Sequence, residues 1–593
     1  MKEGDQYSKL TPAEKEAPTQ DTANINCREL LDVMMAKGVE TLVISPGSRN
    51  APLLIGAAAR PELRKIIITD ERTAAFTALG IGMVTGRPVG LICTSGTALY
   101  NYAPAVAEAF YQHVPLIVIT ADRPAQWIDQ DDSQTLKQFG ALQNIVKRSY
   151  DIYAEIGMTT PCANRVYETE REWYVNRIAN EAINVATSSL PGPVHINMQF
   201  AEPLNETVAY RPKKPRIVSR IATDRSVSPE ALREISYHLL DRRIMVVAGF
   251  MPKDHRLLFA LRDFAKLKNV TLLSETISNI DIDEDTSMID SILTQLTEEE
   301  LRELSPDMVI SVGGALVSRI LKDYIRRNDC VEHWSLGDTD ISVDCFQHLH
   351  KHIDVDPAKF FEQAKEDIDK ILILGQKYQF PDYREKWQKR RHEIRAKNET
   401  WIAAAPWSEL KALNEVYRSI PADYNLFMSN GTSVRYGQLL THRIPHACYC
   451  NRGVSGIDGT NATALGGALA YSGETLLITG DMSFGYAPDI MRLAGKDSRL
   501  RIIVINNAGG GIFRFIKTTR QLDIREEYFC CDQTLPIEAL CRAYGWSYLT
   551  AANEQELSEA LPRFYENGST LLEIKVDPQV SADTLIRFMG IRN

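Results

Sequence analysis

Residues 475–511, TLLITGDMSFGYAPDIMRLAGKDSRLRIIVINNAGGG, contain two short apolar runs that each end in polar residues. The runs at 475–479 and 501–505 are continuous rather than alternating, which is typical of parallel strands buried on both faces. The residues between them have a helical pattern, so the stretch predicts a strand–helix–strand unit. Neighbouring parallel strands end at one edge of a sheet, where ligands bind, and Asp481 and Asn507 are therefore expected side by side.

The two strand ends have the residue types of a magnesium and phosphate site. Asp481 offers a carboxylate and Asn507 an amide oxygen, which are hard ligands suited to octahedral Mg²⁺ that also binds phosphate oxygens. Gly509, Gly510 and Gly511 allow close backbone approach, and the helix after Asp481 points its N-terminus at the anion. Turns after strands also favour Asp and Asn, so the prediction rests on the combination of these features.

The first half of the chain repeats this pattern. A shift of 386 positions places Ala78–Gly80 on Ala464–Gly466, Leu91–Ile92 on Leu477–Ile478, and Ile119 on Ile505. Apolar runs at 41–45, 66–69, 89–94 and 115–120 predict the strands of the first half. The fold class is therefore predicted as α/β, with two similar doubly wound parallel sheets. In this register Ser95 stands where the second half has Asp481, so one half alone has the metal ligands.

A chain of 593 residues is too long for one hydrophobic core, and we expect three α/β domains. The predicted division is a flexible tail (1–22), a first domain (23–208), a central domain (209–380), a charged helical linker (381–404) and a last domain (405–593). The central domain is either a nucleotide-binding Rossmann domain or a structural domain without nucleotide. No GxGxxG motif follows Val247, which favours the second interpretation.

Composition excludes several functional classes. The net charge of −10 argues against nonspecific nucleic-acid binding. No apolar run reaches the roughly 18–20 residues of a membrane span, and the polar N-terminal stretch does not resemble a secretory signal. The ten cysteines have no metal-type spacing and are expected to be reduced thiols. We therefore expect a cytoplasmic enzyme.

Several strings in both halves resemble one protein family. SPGSRNAPL, TDERTAAF, TSGTA, TADRP, NRGVSGIDG and GDMS with NNAGGGIF are similar to strings of the 2-succinyl-5-enolpyruvyl-6-hydroxy-3-cyclohexene-1-carboxylate (SEPHCHC) synthase family. The resemblance covers the first and last domains and extends only loosely to the central one. It implies a transferase of menaquinone biosynthesis that uses thiamine diphosphate with Mg²⁺ or Mn²⁺. The implied reaction is decarboxylation of 2-oxoglutarate and 1,4-addition of the succinyl unit to isochorismate.

Glu71 is the predicted catalytic residue. It stands at the start of an Ala-rich helical pattern and matches Ile457 in the second half. Thiamine chemistry requires a carboxylic acid at N1′ of the aminopyrimidine and an apolar prop that keeps the cofactor bent, and this pair has both properties. The Ala- and Phe-rich surroundings favour a protonated carboxyl. A glutamate that only stabilises a helix N-terminus is the alternative interpretation.

The resemblance also assigns contacts residue by residue. The residues implied to bind the cofactor are Glu71, Asn430, Gly431, Ser455, Ile457, Gly480, Asp481, Met482, Ser483, Asn507, Gly509, Gly510, Ile512 and Phe513, with Asp481, Asn507 and Gly509 as metal ligands. The residues implied to bind substrate are Ser48, Arg49, Arg123, Gln134, Arg319, Thr432, Arg435 and Arg452. The arginines agree with the chemistry independently, because two dicarboxylate substrates require guanidinium partners.

The chain departs from the family pattern at two of these positions. The family often has a serine four residues before the arginine that matches Arg435, whereas this chain has Gly431, and either Thr432 or the backbone is the expected substitute. Where the family often has a substrate-facing lysine in the central domain, this chain has Arg319. The positive charge is kept at this second position but its geometry changes.

Two other functions remain open from the sequence. One is a different thiamine diphosphate enzyme, similar to acetolactate synthase or oxalyl-CoA decarboxylase, although the arginines fit smaller or nucleotide-bearing substrates poorly. The other is a cofactor-binding protein without turnover, which would have no need of a carboxyl at Glu71. Because Glu71 and Asp481 lie in different predicted domains, the family resemblance implies sites between subunits of a homodimer or homotetramer.

Overall fold

The computed structural model describes residues 19–154, 161–162, 167, 169–223, 225–282, 286–329, 331–440, 445–531, 535–566 and 568–590. The chain forms two compact units. The first contains residues up to 222 together with 451–472 and 486–500, and the second contains 223–450, 473–485 and the residues from 501 onward. Among the helices that the structure describes, none has the length and apolar character needed to cross a membrane.

The first 222 residues contain one parallel sheet and the helices that cover it. The strands are β1 (Gln20–Thr22), β2 (Thr41–Ile44), β3 (Arg64–Ile67), β4 (Val89–Cys93), β5 (Leu116–Asp122), β6 (Ser149–Ile152), β7 (Val194–Gln199) and β8 (Thr207–Ala209). The helices are α1 (Ile25–Ala36), α2 (Ala51–Ala58), α3 (Glu71–Thr85), α4 (Ala98–Gln112) and α5 (Glu170–Ala186). The sheet order is β3-β2-β4-β5-β7-β6. Every residue of β2, β4 and β5 is buried, which explains their continuous apolar runs.

The tail predicted over residues 1–22 ends in ordered structure. Strand β1 pairs antiparallel with β8, and Asp21 and Thr22 are buried. Asp21 accepts a hydrogen bond from the buried guanidinium of Arg60, which explains why this segment is fixed. The predicted boundary of the tail is therefore wrong by at least these residues, and residues 1–18 lie outside the described ones.

The central region has a second parallel sheet, in the order β10-β9-β11-β12-β13. Its strands are β9 (Ile244–Ala248), β10 (Val270–Ser274), β11 (Met308–Val312), β12 (Glu332–Leu336) and β13 (Leu349–Ile353). The helices are α6 (Pro229–Leu240), α7 (His255–Phe264), α8 (Ile289–Gln295), α9 (Glu298–Glu303), α10 (Arg319–Arg326) and α11 (Pro357–Ile373). The predicted linker forms helix α12 (Tyr383–Ala404), whose Tyr383, Trp387 and Ile394 are buried in the core of this region.

The last region has a third parallel sheet. Its strands are β14 (Asn425–Met428), β15 (Ala447–Tyr449), β16 (Thr475–Gly480), β17 (Leu500–Asn506), β18 (Ser547–Ala551) and β19 (Thr570–Lys575). The helices are α13 (Glu409–Ser419), α14 (Ser433–Leu439), α15 (Thr460–Ala470), α16 (Asp481–Phe484), α17 (Ile490–Ala494), α18 (Ile537–Tyr544), α19 (Glu554–Glu566) and α20 (Pro578–Phe588). The order β15-β14-β16-β17-β19-β18 repeats that of the first sheet, strand for strand, as the internal repeat predicts. The division into three domains at the stated boundaries stays a prediction.

Helices α3 and α15, both in the first unit, cross in contact at two glycines. A Cβ atom on Gly80 would lie 1.9 Å from the carbonyl oxygen of Thr463. A Cβ atom on Gly466 would lie 2.0 Å from the carbonyl oxygen of Thr77. The shift of 386 positions exchanges these two contacts, so the crossing has a local two-fold symmetry that confirms the predicted register.

Candidate active site

Asp481 and Asn507 lie at the ends of the neighbouring strands β16 and β17. The carboxylate of Asp481 accepts hydrogen bonds from the backbone N–H of Met482 at 2.7 Å and of Gly509 at 2.9 Å. Burial raises the pKa of Asp481 to about 6, while these backbone N–H groups act to lower it. A divalent cation would favour the ionised carboxylate, because an opposite charge stabilises the charged form.

The loop after β17 fits a metal ion bound to a phosphate. Within the described part of the chain, the buried side-chain oxygen of Asn507 has no hydrogen-bond partner. Buried polar atoms normally have a partner, so this oxygen is available to bind a ligand. The carbonyl of Gly509 accepts one hydrogen bond from Gly511 N–H at 3.0 Å and keeps a second lone pair. With the Asp481 carboxylate, these atoms form the oxygen donor set that Mg²⁺ prefers.

Side chains could not replace the glycines of this loop. Ala508 has a left-handed backbone with φ 58°, and Gly509 has φ 127°. A Cβ atom on Gly509 would lie 2.2 Å from the Cys530 carbonyl, and one on Gly511 would lie 2.4 Å from the Asn507 amide nitrogen. The loop is therefore packed so that Asn507 and the Gly509 backbone stay at the sheet edge.

The other predicted cofactor residues of the second unit lie at the same edge of the sheet. Asn430 is buried after β14, the neighbour of β16. Gly431, with φ 101°, and Gly480 both face open space, since a Cβ atom on either would meet nothing within 4 Å. The remaining members are Met482 (half-buried), Ser483 (buried), Gly510 (buried), and Ile512 and Phe513 (half-buried).

Glu71 is half-buried in the first turn of α3. Asp70 caps this helix by accepting from the backbone N–H of Thr73 at 3.1 Å, which explains why the helix begins at Glu71. Burial, followed by the charge of Glu71, raises the pKa of the Cys93 thiol, so the carboxyl lies near the buried end of β4. The loop 451–459 of the same unit carries Ile457, half-buried, and Ser455, exposed with φ 64°.

Two of the predicted arginines lie close together in the first unit. Arg49 is buried, donates to the Phe200 carbonyl at 3.1 Å and pairs with Glu202 at 3.2 Å. Arg123 pairs with Asp132 at 2.8 Å. Burial, followed by the charge of Arg123, lowers the pKa of Arg49, as expected for two guanidinium groups that share one region. The two guanidinium groups, each paired with an acidic side chain, are of the kind that binds a carboxylate.

Ser48 and Gln134 lie on the exposed side of this region. Ser48 precedes Arg49 and is exposed. Gln134 is exposed on the loop after β5 with φ 54°, and a Cβ atom on Gly96 would lie 3.3 Å from it. The arginine Nε of Arg123 donates to the Ser133 carbonyl at 3.0 Å, so Arg123 contacts the same loop as Gln134.

The other three arginines lie in separate places. Arg452 is half-buried in the loop 451–459 of the first unit. Arg435, in the second unit, lies near Asp290. Burial raises the pKa of Asp290, although the Ser318 hydroxyl and the charge of Arg435 oppose this rise. Arg319 begins α10 with a side chain that is 84% exposed.

Comparisons with known proteins agree with this geometry. Residues 28–141 match the thiamine pyrophosphate enzyme N-terminal TPP binding domain, and residues 430–574 match the C-terminal TPP binding domain. The chain is 39% identical over 550 residues to the 2-succinyl-5-enolpyruvyl-6-hydroxy-3-cyclohexene-1-carboxylate synthase of Porphyromonas gingivalis, covering 92% of this chain and 93% of that one. The enzymes of the same name from Cytophaga hutchinsonii (35% identical over 574 residues; 94% and 97% covered) and Flavobacterium johnsoniae (33% over 564 residues; 94% and 97%) are also similar.

The chain belongs to the SEPHCHC synthase family. It is a thiamine diphosphate enzyme, and a divalent metal accompanies the cofactor, as is usual for this class. The match of both cofactor domains confirms the predicted fold class, with parallel sheets in the first and last regions and a third between them.

Beside the residues that the SEPHCHC synthase resemblance assigns, the structure adds Glu409. This residue is buried, and its carboxyl accepts from the Thr432 hydroxyl at 2.7 Å. Burial raises the pKa of Glu409 to about 7, opposed by hydrogen bonds from Thr432 and Tyr436 and assisted by the charge of Asp481. While Glu409 is ionised, the Thr432 hydroxyl donates its one hydrogen bond to that carboxylate and can only accept a hydrogen bond from a substrate. Thr432 is thus a poor donor to a substrate carboxylate in this state.

Proposed function

We propose that this chain catalyses the thiamine-diphosphate-dependent formation of SEPHCHC from 2-oxoglutarate and isochorismate. Its family membership and its two cofactor domains support the reaction class. The observation that carries the substrate assignment is the pair formed by Arg49 and Arg123 in the first unit, beside Ser48 and Gln134. The charge of Arg123 lowers the pKa of Arg49, so an anion near both guanidinium groups would be favourable, and isochorismate is a dicarboxylate.

The second unit would hold the metal and the diphosphate. The Asp481 carboxylate, the Asn507 side-chain oxygen and the Gly509 carbonyl would bind the metal together with phosphate oxygens of the cofactor. The short helix after Asp481 and the backbone around Gly510 then face the phosphate charge. When bound, thiamine diphosphate supplies the nucleophilic carbon at which a 2-oxo acid loses carbon dioxide.

Glu71 acts as the proton-holding group for the cofactor. Its carboxyl would hold a proton beside the aminopyrimidine of the bound cofactor, and the apolar Ile457 side chain would lie against the cofactor. Arg435 binds the distal carboxylate of 2-oxoglutarate, and we assign Arg452, on the loop 451–459, to substrate binding. Arg319 binds the substrate from α10 only after its exposed side chain changes conformation. Thr432 takes part as an acceptor, or as a donor once Glu409 is protonated.

We infer that the working enzyme is a cytoplasmic homodimer or homotetramer. In this arrangement one copy supplies Glu71 and a second copy supplies the metal ligands around Asp481. The proposal predicts that a mixture of Glu71→Gln and Asp481→Ala chains recovers activity, because some mixed sites contain both native residues. Light scattering gives the number of chains in the assembly.

The decisive experiment is an assay with both substrates. Purified protein is incubated with thiamine diphosphate, Mg²⁺, 2-oxoglutarate and isochorismate, and the products are followed by mass spectrometry. Formation of SEPHCHC, reduced by a factor of at least about 10² in Glu71→Gln, supports the proposal, since acid–base groups contribute about 10²–10⁴-fold. Near-native turnover in Glu71→Gln would contradict its role.

The alternatives give different results in the same assay. Turnover of pyruvate alone, with no adduct from isochorismate, would support an enzyme similar to acetolactate synthase. Cofactor binding without turnover of any oxo acid would support a binding protein.

A further inference from the structure

The loop 451–459 is held by a buried carboxylate from the first half of the chain. Glu108, on helix α4, is 1% exposed. One of its oxygens accepts from the backbone N–H of Gly453 at 2.6 Å, and the other accepts from the backbone N–H of Val454 at 2.8 Å. All three residues belong to the first unit. Two consecutive backbone groups of the loop are therefore bound by one side chain.

The loop lies directly against two helices, at both of its ends. A Cβ atom on Gly453 would lie 2.7 Å from the Glu108 carbonyl and 3.0 Å from Cβ of Tyr111 on the same helix. A Cβ atom on Gly459 would lie 2.1 Å from the ring of Phe76 on α3. These contacts fix residues 453 and 459. The intervening segment, with Ser455 in a left-handed conformation and Ile457, is thereby restricted to few conformations.

A carboxylate is required at Glu108, because all its partners are donors. Besides the two backbone N–H groups, the side-chain amide of Gln112 donates to it. An ionised carboxylate accepts at both oxygens and carries no proton that would oppose these donors. An amide in its place would direct its own N–H₂ group at one of the backbone N–H groups, and one buried donor would lose its acceptor.

We propose that Glu108 is a positioning residue that orders the loop 451–459 before the cofactor binds. It acts through the loop, which carries Ile457 and Arg452. Without it, part of the binding free energy of thiamine diphosphate is spent on ordering the loop, so the observed affinity falls. This inference rests on the proposed cofactor role of Ile457.

The test is the variant Glu108→Gln, with thiamine diphosphate and Mg²⁺ titrated into cofactor-free protein by calorimetry. Hydrogen bonds to charged groups contribute enough that we expect the dissociation constant to rise about ten- to hundred-fold. At saturating cofactor we expect turnover within about three-fold of the native enzyme, because the reacting groups are unchanged. A loss in cofactor affinity with little loss in turnover distinguishes positioning from catalysis.

Glu172→Gln is the matched control. Glu172 is also buried in the first unit, where it binds Lys213, but it does not hold the loop. Its substitution should destabilise the protein without changing the dissociation constant. An unchanged dissociation constant in Glu108→Gln, or an equal rise in both variants, would overturn the proposal.

A second variant covers the case in which Glu108→Gln does not fold. Gly453→Ala keeps the carboxylate and forces the loop away from α4, so it should raise the dissociation constant in the same way. Native affinity in Gly453→Ala would also overturn the proposal. These titrations contain no substrate, so they are independent of the product assay. The cofactor affinities can therefore be interpreted even if the protein does not form SEPHCHC.

Discussion

Replacing Gly80 by alanine should push helices α3 and α15 apart. The added Cβ atom would lie 1.9 Å from the Thr463 carbonyl oxygen, whereas carbon and oxygen atoms approach no closer than about 3.3 Å in favourable contacts. The helices must therefore separate locally by about 1.4 Å, the difference of these distances. Since the obstacle is backbone, no side-chain rotation can relieve it.

The sign of the effect separates this mechanism from helix propensity. Alanine is about 0.8–1.0 kcal/mol more favourable than glycine inside a helix, so without the contact Gly80→Ala would stabilise the protein. Overpacking of a well-packed core costs typically about 1–3 kcal/mol. The difference between these two effects is a fall of up to about 2 kcal/mol in the free energy of unfolding, measured by urea unfolding followed by circular dichroism.

The local two-fold symmetry makes the prediction sharper. Gly466→Ala should cost about as much as Gly80→Ala, because its Cβ atom would lie 2.0 Å from the Thr77 carbonyl. Once the helices have separated for one alanine, the second needs little further movement. The double variant should therefore be destabilised by clearly less than the sum of the single variants. A stabilised single variant, or strictly additive costs, would refute the reasoning.

Three other predictions test single residues. Asp481→Ala should lose most of its Mg²⁺-dependent affinity for thiamine diphosphate in calorimetry, and unchanged affinity would remove Asp481 from the metal site. Burial lowers the pKa of His333 from 6.5 to about 4. Between pH 6.5 and pH 4 the folded chain therefore binds fewer protons than the unfolded chain. The folded state loses stability as the pH falls through this range. In His333→Gln the drop in the free energy of unfolding between pH 7 and 4.5 should be smaller by about 2–3 kcal/mol, and an equal drop would contradict this cause. Thr432→Val should lower the free energy of unfolding by about 1–3 kcal/mol, because the buried Glu409 carboxyl loses a hydrogen-bond donor. Thr432→Ser keeps the hydroxyl and should stay near native stability in the same urea titration.

The sheets could be predicted, and a metal site could be proposed, because their signals are local. Buried parallel strands have continuous apolar runs, and Asp481 and Asn507 follow such runs directly. The predicted strand ends were less exact at β3, which was expected at 66–69 and spans Arg64–Ile67. The strand begins with the charged residues Arg64 and Lys65, which are only half-buried, so an apolar run does not mark its start.

Glu108 and Glu409 could not be found in this way. A glutamate in a helix ordinarily faces solvent, and nothing in the neighbouring residues marks these two as buried. Glu108 is buried because Gly453, 345 positions further along the chain, donates to it. Glu409 is buried because α13 places it against Thr432. Contacts between segments that are distant in the sequence therefore determine the burial of both glutamates.

Two sheets of one strand order present different chemistry at the same edge. The positions that hold Asp481 and Asn507 in the last sheet hold Ser95 and Ala121 in the first. The first sheet instead has Arg123 just beyond β5, where we propose that a substrate anion binds. On that proposal a duplicated scaffold separates the two tasks, so that substitutions can alter the choice of acceptor on one copy of the scaffold while the cation chemistry of the other is left untouched.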